Sequence, residues 1–269
     1  MSVRVLPLLG LLATACSART SADAAPPATA SISHPGCFLL QDLQTGATTT
    51  VHPELCARAR VPASTFKIPH ALIALETGVV TDPHAEIPWD GTHYLNKDWD
   101  APQSLASALQ VSAVWFFQRT ATAIGEARMR SWLTALRYGD ADVRGDLTTF
   151  WLDGGSLEIT APQQLDFLKR MAHHDLPIST AHIDTVWNLL AADPVRLQQR
   201  LPEGETWPTT SAKIFAKTGG AEDVKWWVGR VDGPRGSFIF VSRVDGQPDT
   251  RTSLALSAGL HALRDAGVI

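Results

Sequence analysis

PASTFKIPHALIALETGVV (Pro62–Val80) is the stretch from which the rest of the chain is best read. Its apolar spacing predicts a helix over Ser64–Thr77, with a serine and a lysine three residues apart at its start. That spacing places Ser64 and Lys67 on one face, a turn apart. Pro69 is tolerated because first-turn N–H groups have no intrahelical partner. Serine is a poor nucleophile until something takes its proton, and a nearby amine can do so only when neutral. The helix start also aims backbone N–H groups at developing negative charge. Alone the signal is weak. S-x-x-K arises by chance about once in a chain this long, and taken alone it is more often a capping serine beside a surface lysine.

A second element, Lys217-Thr218-Gly219-Gly220, ends one strand just before another. On a sheet edge, a lysine and a hydroxyl can hold a carboxylate while glycine leaves room for close approach. A third, Ser112-Ala113-Val114, carries almost no information by itself. Helical patterns cover Ser64–Thr77, Leu105–Phe117, Ile124–Leu136, Pro162–His173 and Ile183–Ala191. Strand-like runs cover Ser211–Lys217, Val224–Val231 and Ser237–Val244, and Leu254–Leu263 is an amphipathic helix. Near the start, Cys37–Asp42, a Thr45-Gly46 turn and Thr48–His52 read as a hairpin. The fold class expected is α+β: an antiparallel sheet flanked by helices, with an all-helical lobe between its strands. Residues 36–269 would form one catalytic domain with two lobes.

Composition sets the outer limits. The 269 residues are 45% hydrophobic and 19% charged, as in packed globular proteins. A net charge of −4 and a pI near 6.1 provide no basic field to grip nucleic-acid phosphates. Nine tryptophans against two tyrosines need a large core or a ligand wall. No stretch approaches the roughly 20 apolar residues of a membrane span.

The N-terminal residues read as an address. Arg4 precedes an apolar run, Val5–Ala15, that ends in small residues before Cys16, the pattern of a secretory signal over 1–15. Small residues directly before a cysteine resemble a lipoprotein signal, with Cys16 as the lipidated first residue. The same residues satisfy plain A-x-A cleavage. Either way the chain is exported. Residues 16–35, poor in bulky side chains, read as a flexible linker that would hold the body clear of a membrane. In an oxidising compartment Cys37 and Cys56 are expected to pair; the metal reading of these cysteines lacks further ligands nearby.

S-x-x-K and K-T-G, in this order and on these elements, describe the penicillin-recognising serine enzymes, whose usual middle motif is S-D-N. Here the apolar Ser112-Ala113-Val114 stands in that place. The segments PASTFKIPHALIALETGVV, VSAV (Val111–Val114), YGDAD (Tyr138–Asp142), FWLDGGSLEIT (Phe150–Thr160), KTGG (Lys217–Gly220) and KWWVGRV (Lys225–Val231) resemble the class D, oxacillinase-type β-lactamases. The resemblance runs from about Gly36 to the C-terminus.

It implies that Ser64 is acylated by a β-lactam and that Lys67, carboxylated by CO2 or bicarbonate, is the general base of acylation and deacylation. No other cofactor and no metal is implied. Ser112 resembles the hydroxyl that relays protons, Val114 part of the apolar wall, and Trp151 the tryptophan whose indole N–H holds the carbamate. Lys217, Thr218 and Gly219 look like the substrate-carboxylate edge, Gly220 and Ser64 the oxyanion N–H pair, and Arg251 the arginine that binds the drug carboxylate. The chain would act in the bacterial periplasm, as monomer or homodimer, with a membrane tether through Cys16 as an alternative.

The chain departs from that pattern at three places. Asp140 stands where the family has asparagine, Gly220 where many members are bulky, and Asp153–Ser156 is one residue longer. These bear on substrate preference rather than on the nucleophile.

Elementary chemistry agrees with this assignment. An amine reacts with CO2 only when neutral, and apolar neighbours, here Phe66, Val114 and Trp151, depress its pKa. By itself Trp151 is more often a core residue. Trp226 and Trp227 alternate faces, one expected in the core and the other on a groove wall. Adjacent His173 and His174 point apart and read as solvated surface. Two other classes compete: a non-hydrolytic β-lactam receptor, and a cell-wall transpeptidase or carboxypeptidase, which usually carries a polar middle motif.

Overall fold

The computed structural model describes Met1, residues 36–246 and residues 253–269. The signal, the linker, Cys16 and Arg251 lie outside the described residues.

Two strands open the body: β1 (Gly36–Asp42) and β2 (Thr48–Val51). A helical region follows, made of α1 (Pro53–Cys56), α2 (Lys67–Glu76), α3 (Leu105–Val111), α4 (Val114–Ile124), α5 (Glu126–Leu136), α6 (Ala161–Ala172), α7 (Thr180–Leu189) and α8 (Pro194–Gln198). The chain then returns as β3 (Lys213–Gly220), β4 (Val224–Gly233) and β5 (Gly236–Asp245), and closes with α9 (Ser253–Asp265). The strands form a five-stranded sheet in the order β2-β1-β5-β4-β3, antiparallel at every pairing. The N-terminal hairpin is thereby sewn onto the C-terminal strands, and β3 is left as an edge. The α+β architecture expected from the sequence is the one observed.

Strand alternation builds two cores. Leu39, Val224, Trp226, Val228, Ile239 and Val241 face the helices α2–α7. Phe38, Leu40, Trp227, Val231 and Phe240 face the other way, onto Ala255, Leu256, Leu260 and Leu263 of α9. The two tryptophans do take opposite faces, but neither is an open groove wall: Trp226 and Trp227 are 0% and 1% exposed. Covering both faces of β4 consumes the side that a single-faced sheet would have left free. The Trp226 indole donates to the Val61 carbonyl at 3.0 Å, tying the sheet to the residues just before Ser64.

Local chemistry explains the helix starts. Ser104 with Ser107, and Thr160 with Gln163, form reciprocal capping boxes at α3 and α6. The pattern over Leu105–Phe117, read as one helix, is two. The chain breaks at Ser112, which takes a left-handed conformation (φ 61°) and caps α3. The break is satisfied from outside, since the Trp99 indole donates to the Val111 carbonyl at 3.0 Å. Similarly, the helix expected from Ser64 starts with a 3-10 turn, Ala63–Phe66, before α2. His173 and His174 are exposed, as expected.

Cys37 on β1 and Cys56 at the end of α1 form a disulfide across a sequence separation of 19, with Cα atoms 5.0 Å apart. Closing a loop of that size stabilises by roughly 3 kcal/mol in the chain-entropy account. Alkylation followed by intact-mass measurement, with and without reduction, is expected to show one protected pair in protein made in an oxidising compartment. Two alkylated thiols before reduction would refute it.

Candidate active site

The site begins with a strained turn. Ala63 has φ 48°, left-handed for a residue with a Cβ, immediately before Ser64. From Pro62 to Leu75 every residue except Ser64 is buried, so the turn lifts one hydroxyl toward solvent out of an otherwise closed segment. The 3-10 geometry eclipses side chains three apart, and Lys67 Nζ lies 3.0 Å from Ser64 Oγ. Behind the turn, Thr65 donates to the Pro62 carbonyl at 2.7 Å and accepts from Gln164 of α6 at 2.8 Å.

Three separate segments meet at Lys67. Its amine contacts Ser112 O at 2.7 Å and Ser112 Oγ at 2.9 Å. Lys217 of β3 donates to the same Ser112 Oγ at 3.0 Å. The result is a continuous polar chain: Ser64 Oγ, Lys67 Nζ, Ser112 Oγ, Lys217 Nζ. The kink between α3 and α4 is what turns the Ser112 carbonyl and hydroxyl together onto the amine.

The electrostatics are one-sided. Lys67 is fully buried, and burial first, then Lys217 and Arg200, hold its pKa well below the ordinary lysine value. Lys217 is pulled down to about 7 by burial and then by Arg200. None of the ion pairs among the described residues includes Lys67, Lys217 or Arg200.

The walls around the amine are aromatic. Phe66 stacks on Trp151 with centroids 5.2 Å apart, and the ammonium position lies 5.3 Å from the Phe117 ring centre. Val114, the half-buried first residue of α4, adjoins Ser112. Trp151 is fully buried and its indole Nε1 has no hydrogen-bond partner. A buried unpaired donor is costly, and a native protein rarely leaves one without a use.

Two residues of the site escaped the sequence reading. His70, one turn beyond Lys67 on α2, packs edge-on against Trp151 at 5.8 Å and hydrogen-bonds the Thr120 hydroxyl at 3.0 Å. Burial and then Lys67 hold its pKa down at about 3, so it stays neutral near pH 7. The i, i+3 spacing from Lys67 was the signal available for it. Arg200, just after α8, donates to Thr218 Oγ1 at 3.1 Å, and no local pattern announced it.

The remaining candidates fall as follows. Thr218 and Gly219 are buried near the end of β3, and Gly220 closes the strand exposed. A Cβ on Gly219 would stand 2.9 Å from Pro62 O and 3.1 Å from Thr65 N, so glycine is what lets β3 approach the Ser64 turn. Gly219→Val is expected to force the strand off that turn and lower kcat/KM by about tenfold or more while the protein stays folded; steady-state kinetics beside circular dichroism would check it. Asp140 accepts from the backbone N–H of Asp142 at 3.1 Å and of Glu158 at 3.2 Å, a turn-forming use that leaves it exposed. Asp153 accepts from Glu222 N at 2.6 Å, joining its loop to the β3–β4 turn. Among the described residues no group of His, Cys, Asp or Glu is arranged to hold a metal ion. No helix among them is long and apolar enough to cross a membrane.

A serine and lysine at a helix start, facing a K-T-G strand on an antiparallel sheet, define a penicillin-recognising serine protein. Residues 36–260 match the family model described as penicillin binding protein transpeptidase domain. The chain is 33% identical over 241 residues to β-lactamase OXA-5 of Pseudomonas aeruginosa, covering 87% of this chain and 85% of that one. It is 32% identical over 214 residues to the regulatory protein BlaR1 of Bacillus licheniformis, covering 77% of this chain and 33% of that one. The solved class D β-lactamase of Bacillus subtilis superposes with a TM-score of 0.78 at 30% identity, covering 88% of this chain and 93% of that one. The chain belongs to the class D β-lactamases, a family of enzymes.

Proposed function

We propose that this chain hydrolyses the β-lactam amide bond of penicillins and related antibiotics through an acyl-enzyme on Ser64, with Lys67 carboxylated by CO2 as general base of both half-reactions. The observation that carries the reading is the Lys67 amine, fully buried, 3.0 Å from the Ser64 hydroxyl and without a carboxylate partner among the described residues.

A lysine with a depressed pKa is neutral often enough to attack CO2, forming an N–C bond and releasing one proton. The carboxyl group so gained supplies a base beside the serine. The orphaned Trp151 indole fits it as a donor, and the Phe66, Phe117 and Trp151 rings exclude the water that would speed its loss. Ser64 passes its proton to that carboxylate as its Oγ attacks the lactam carbonyl. Backbone N–H groups of Ser64 and Gly220 stabilise the oxyanion. As the C–N bond breaks, that proton passes on through Ser112, which Lys217 holds at 3.0 Å, to the departing nitrogen, and the base is freed for the second half-reaction. Water then attacks the ester carbonyl, and Ser64 leaves with its proton restored. Thr218, Gly219 and Arg251 are the proposed carboxylate edge.

We place the enzyme in the bacterial periplasm, with attachment through a lipidated Cys16 as the alternative to a free mature form. A receptor acylated once is the second reading, and the similarity to a regulatory protein favours it. Nitrocefin turnover decides between them: many cycles per enzyme are expected, and a single stoichiometric burst with a persistent acyl mass would overturn hydrolysis.

A further inference from the structure

Lys67 shares its aromatic surroundings with two other buried polar groups. His70, one turn later on α2, is fully buried, and its Nδ1 has no partner among the described residues. The Trp151 indole N–H is likewise unpaired. The same two rings hold all three groups together. Phe66 packs on His70 at 5.5 Å and on Trp151 at 5.2 Å. Phe117 lies 5.1 Å from the His70 ring and 5.3 Å from Lys67 Nζ.

The far nitrogen of the imidazole is adaptable. Nε2 lies 3.0 Å from the Thr120 hydroxyl, which is also 3.2 Å from both Phe116 O and Phe117 O. A hydroxyl both donates and accepts. Thr120 therefore satisfies Nε2 whether or not that nitrogen carries the proton: it donates to a bare Nε2, or accepts from Nε2–H while donating to a backbone carbonyl. The tautomer is then chosen by whatever faces Nδ1. Burial keeps the ring neutral near pH 7, so an Nδ1–H can donate there without adding another cation beside Lys67.

A carboxyl group on Nζ brings two acceptor oxygens and a negative charge between rings that offer mostly hydrocarbon. A buried anion is costly unless each oxygen finds a donor. The indole supplies one, and His70 Nδ1 is the other unpartnered polar atom of these walls. We infer that His70 is a positioning residue for Lys67: in the tautomer protonated at Nδ1 it donates to the carboxyl group carried on Lys67, alongside the Trp151 indole, while the Thr120 hydroxyl completes Nε2. The inference deepens the carboxylated-lysine mechanism proposed above and rests on it.

The test titrates wild type, His70→Asn, His70→Gln and His70→Leu with 13C-labelled bicarbonate at fixed pH, reading carbamate occupancy by NMR without any substrate. An asparagine amide nitrogen stands where Nδ1 does, and a glutamine one where Nε2 does. His70→Asn is expected to keep the half-saturating bicarbonate concentration within about threefold of wild type. His70→Gln and His70→Leu should raise it about tenfold or more, the loss of one hydrogen bond to a charged group. In wild type, the 15N spectrum of the His70 imidazole, assigned through its contact with Phe117, should show Nδ1 protonated and Nε2 bare when the carbamate is present. If the three variants behave alike, whether all keep the carbamate or all lose it, His70 serves only packing and the inference is overturned. A bare Nδ1 beside the carbamate overturns it equally, and that measurement stands even where a variant fails to fold. Wild type that shows no labelled carbamate would instead remove the carboxylated-lysine reading, and the inference with it.

Discussion

Ser64→Ala is expected to abolish hydrolysis and covalent labelling by penicillins while leaving the fold intact. The loss should be on the order of 10⁴-fold or more in kcat, since no bound nucleophile remains to split the reaction into two steps. Ser64 is the one residue from Pro62 to Leu75 that reaches solvent, and its hydroxyl is the one serine oxygen at a helix start in contact with Lys67. Stability should change little. Lys67 keeps both contacts to Ser112, and the Thr65 bonds to Pro62 and Gln164 that hold the turn do not involve the hydroxyl. Mass spectrometry after incubation with a slow substrate gives the decisive readout: an acyl adduct on the Ser64→Ala protein would mean that another residue is the nucleophile.

Lys67 has an effect of comparable size, but on a different step. In Lys67→Ala the acyl-enzyme is expected to accumulate, because the base that activates the deacylating water is gone. The same state should be reached in wild type by lowering pH. Burial, with Lys217 and Arg200, depresses the Lys67 pKa, so the neutral amine that captures CO2 is available near neutrality. Falling pH protonates it and drives CO2 off, and activity falls on the acid side. His70 does not contribute that limb, being neutral down to about pH 3. Lys217, with its pKa near 7, loses its proton as pH rises and sets an alkaline limb. Added bicarbonate at fixed pH should therefore restore the acid limb and leave the alkaline one unchanged.

Trp151→Ala should reproduce part of the Lys67 defect, at a cost of a few kcal/mol at most for one charge-assisted hydrogen bond, about 3 at the upper end. Turnover in CO2-depleted buffer, with and without bicarbonate, is read beside the 13C spectrum of protein in labelled bicarbonate. A labelled carbamate signal and recovered turnover are expected. Neither response would mean that Lys67 acts as a plain amine, within 3.0 Å of the Ser64 hydroxyl.

What could be read from the chain alone was whatever lies close together along it. Ser64 and Lys67 are three residues apart, so any helical turn brings them together; the exact turn, 3-10 rather than α, changed nothing in that pairing. Cys37 and Cys56 were legible for a similar reason, a short hairpin leading from one to the other. Strand alternation put Trp226 and Trp227 on opposite faces, but whether the second face was open depended on α9 docking there, a contact between distant segments.

The sequence by itself determined the nucleophile pair, the K-T-G strand and the α+β class, because helix periodicity, strand alternation and turn chemistry act over a few residues. Only the tertiary structure decided that Ser112 breaks the helix predicted over Leu105–Phe117. Apolar spacing runs straight through that point, and the break is held by the Trp99 indole and by lysines 45 and 105 residues away along the chain. Only the tertiary structure left the Trp151 indole without a partner and carried Arg200 to Thr218. Packing and charge act through space, where sequence distance carries no information, and a buried group takes its pKa and its partners from whatever the fold places beside it.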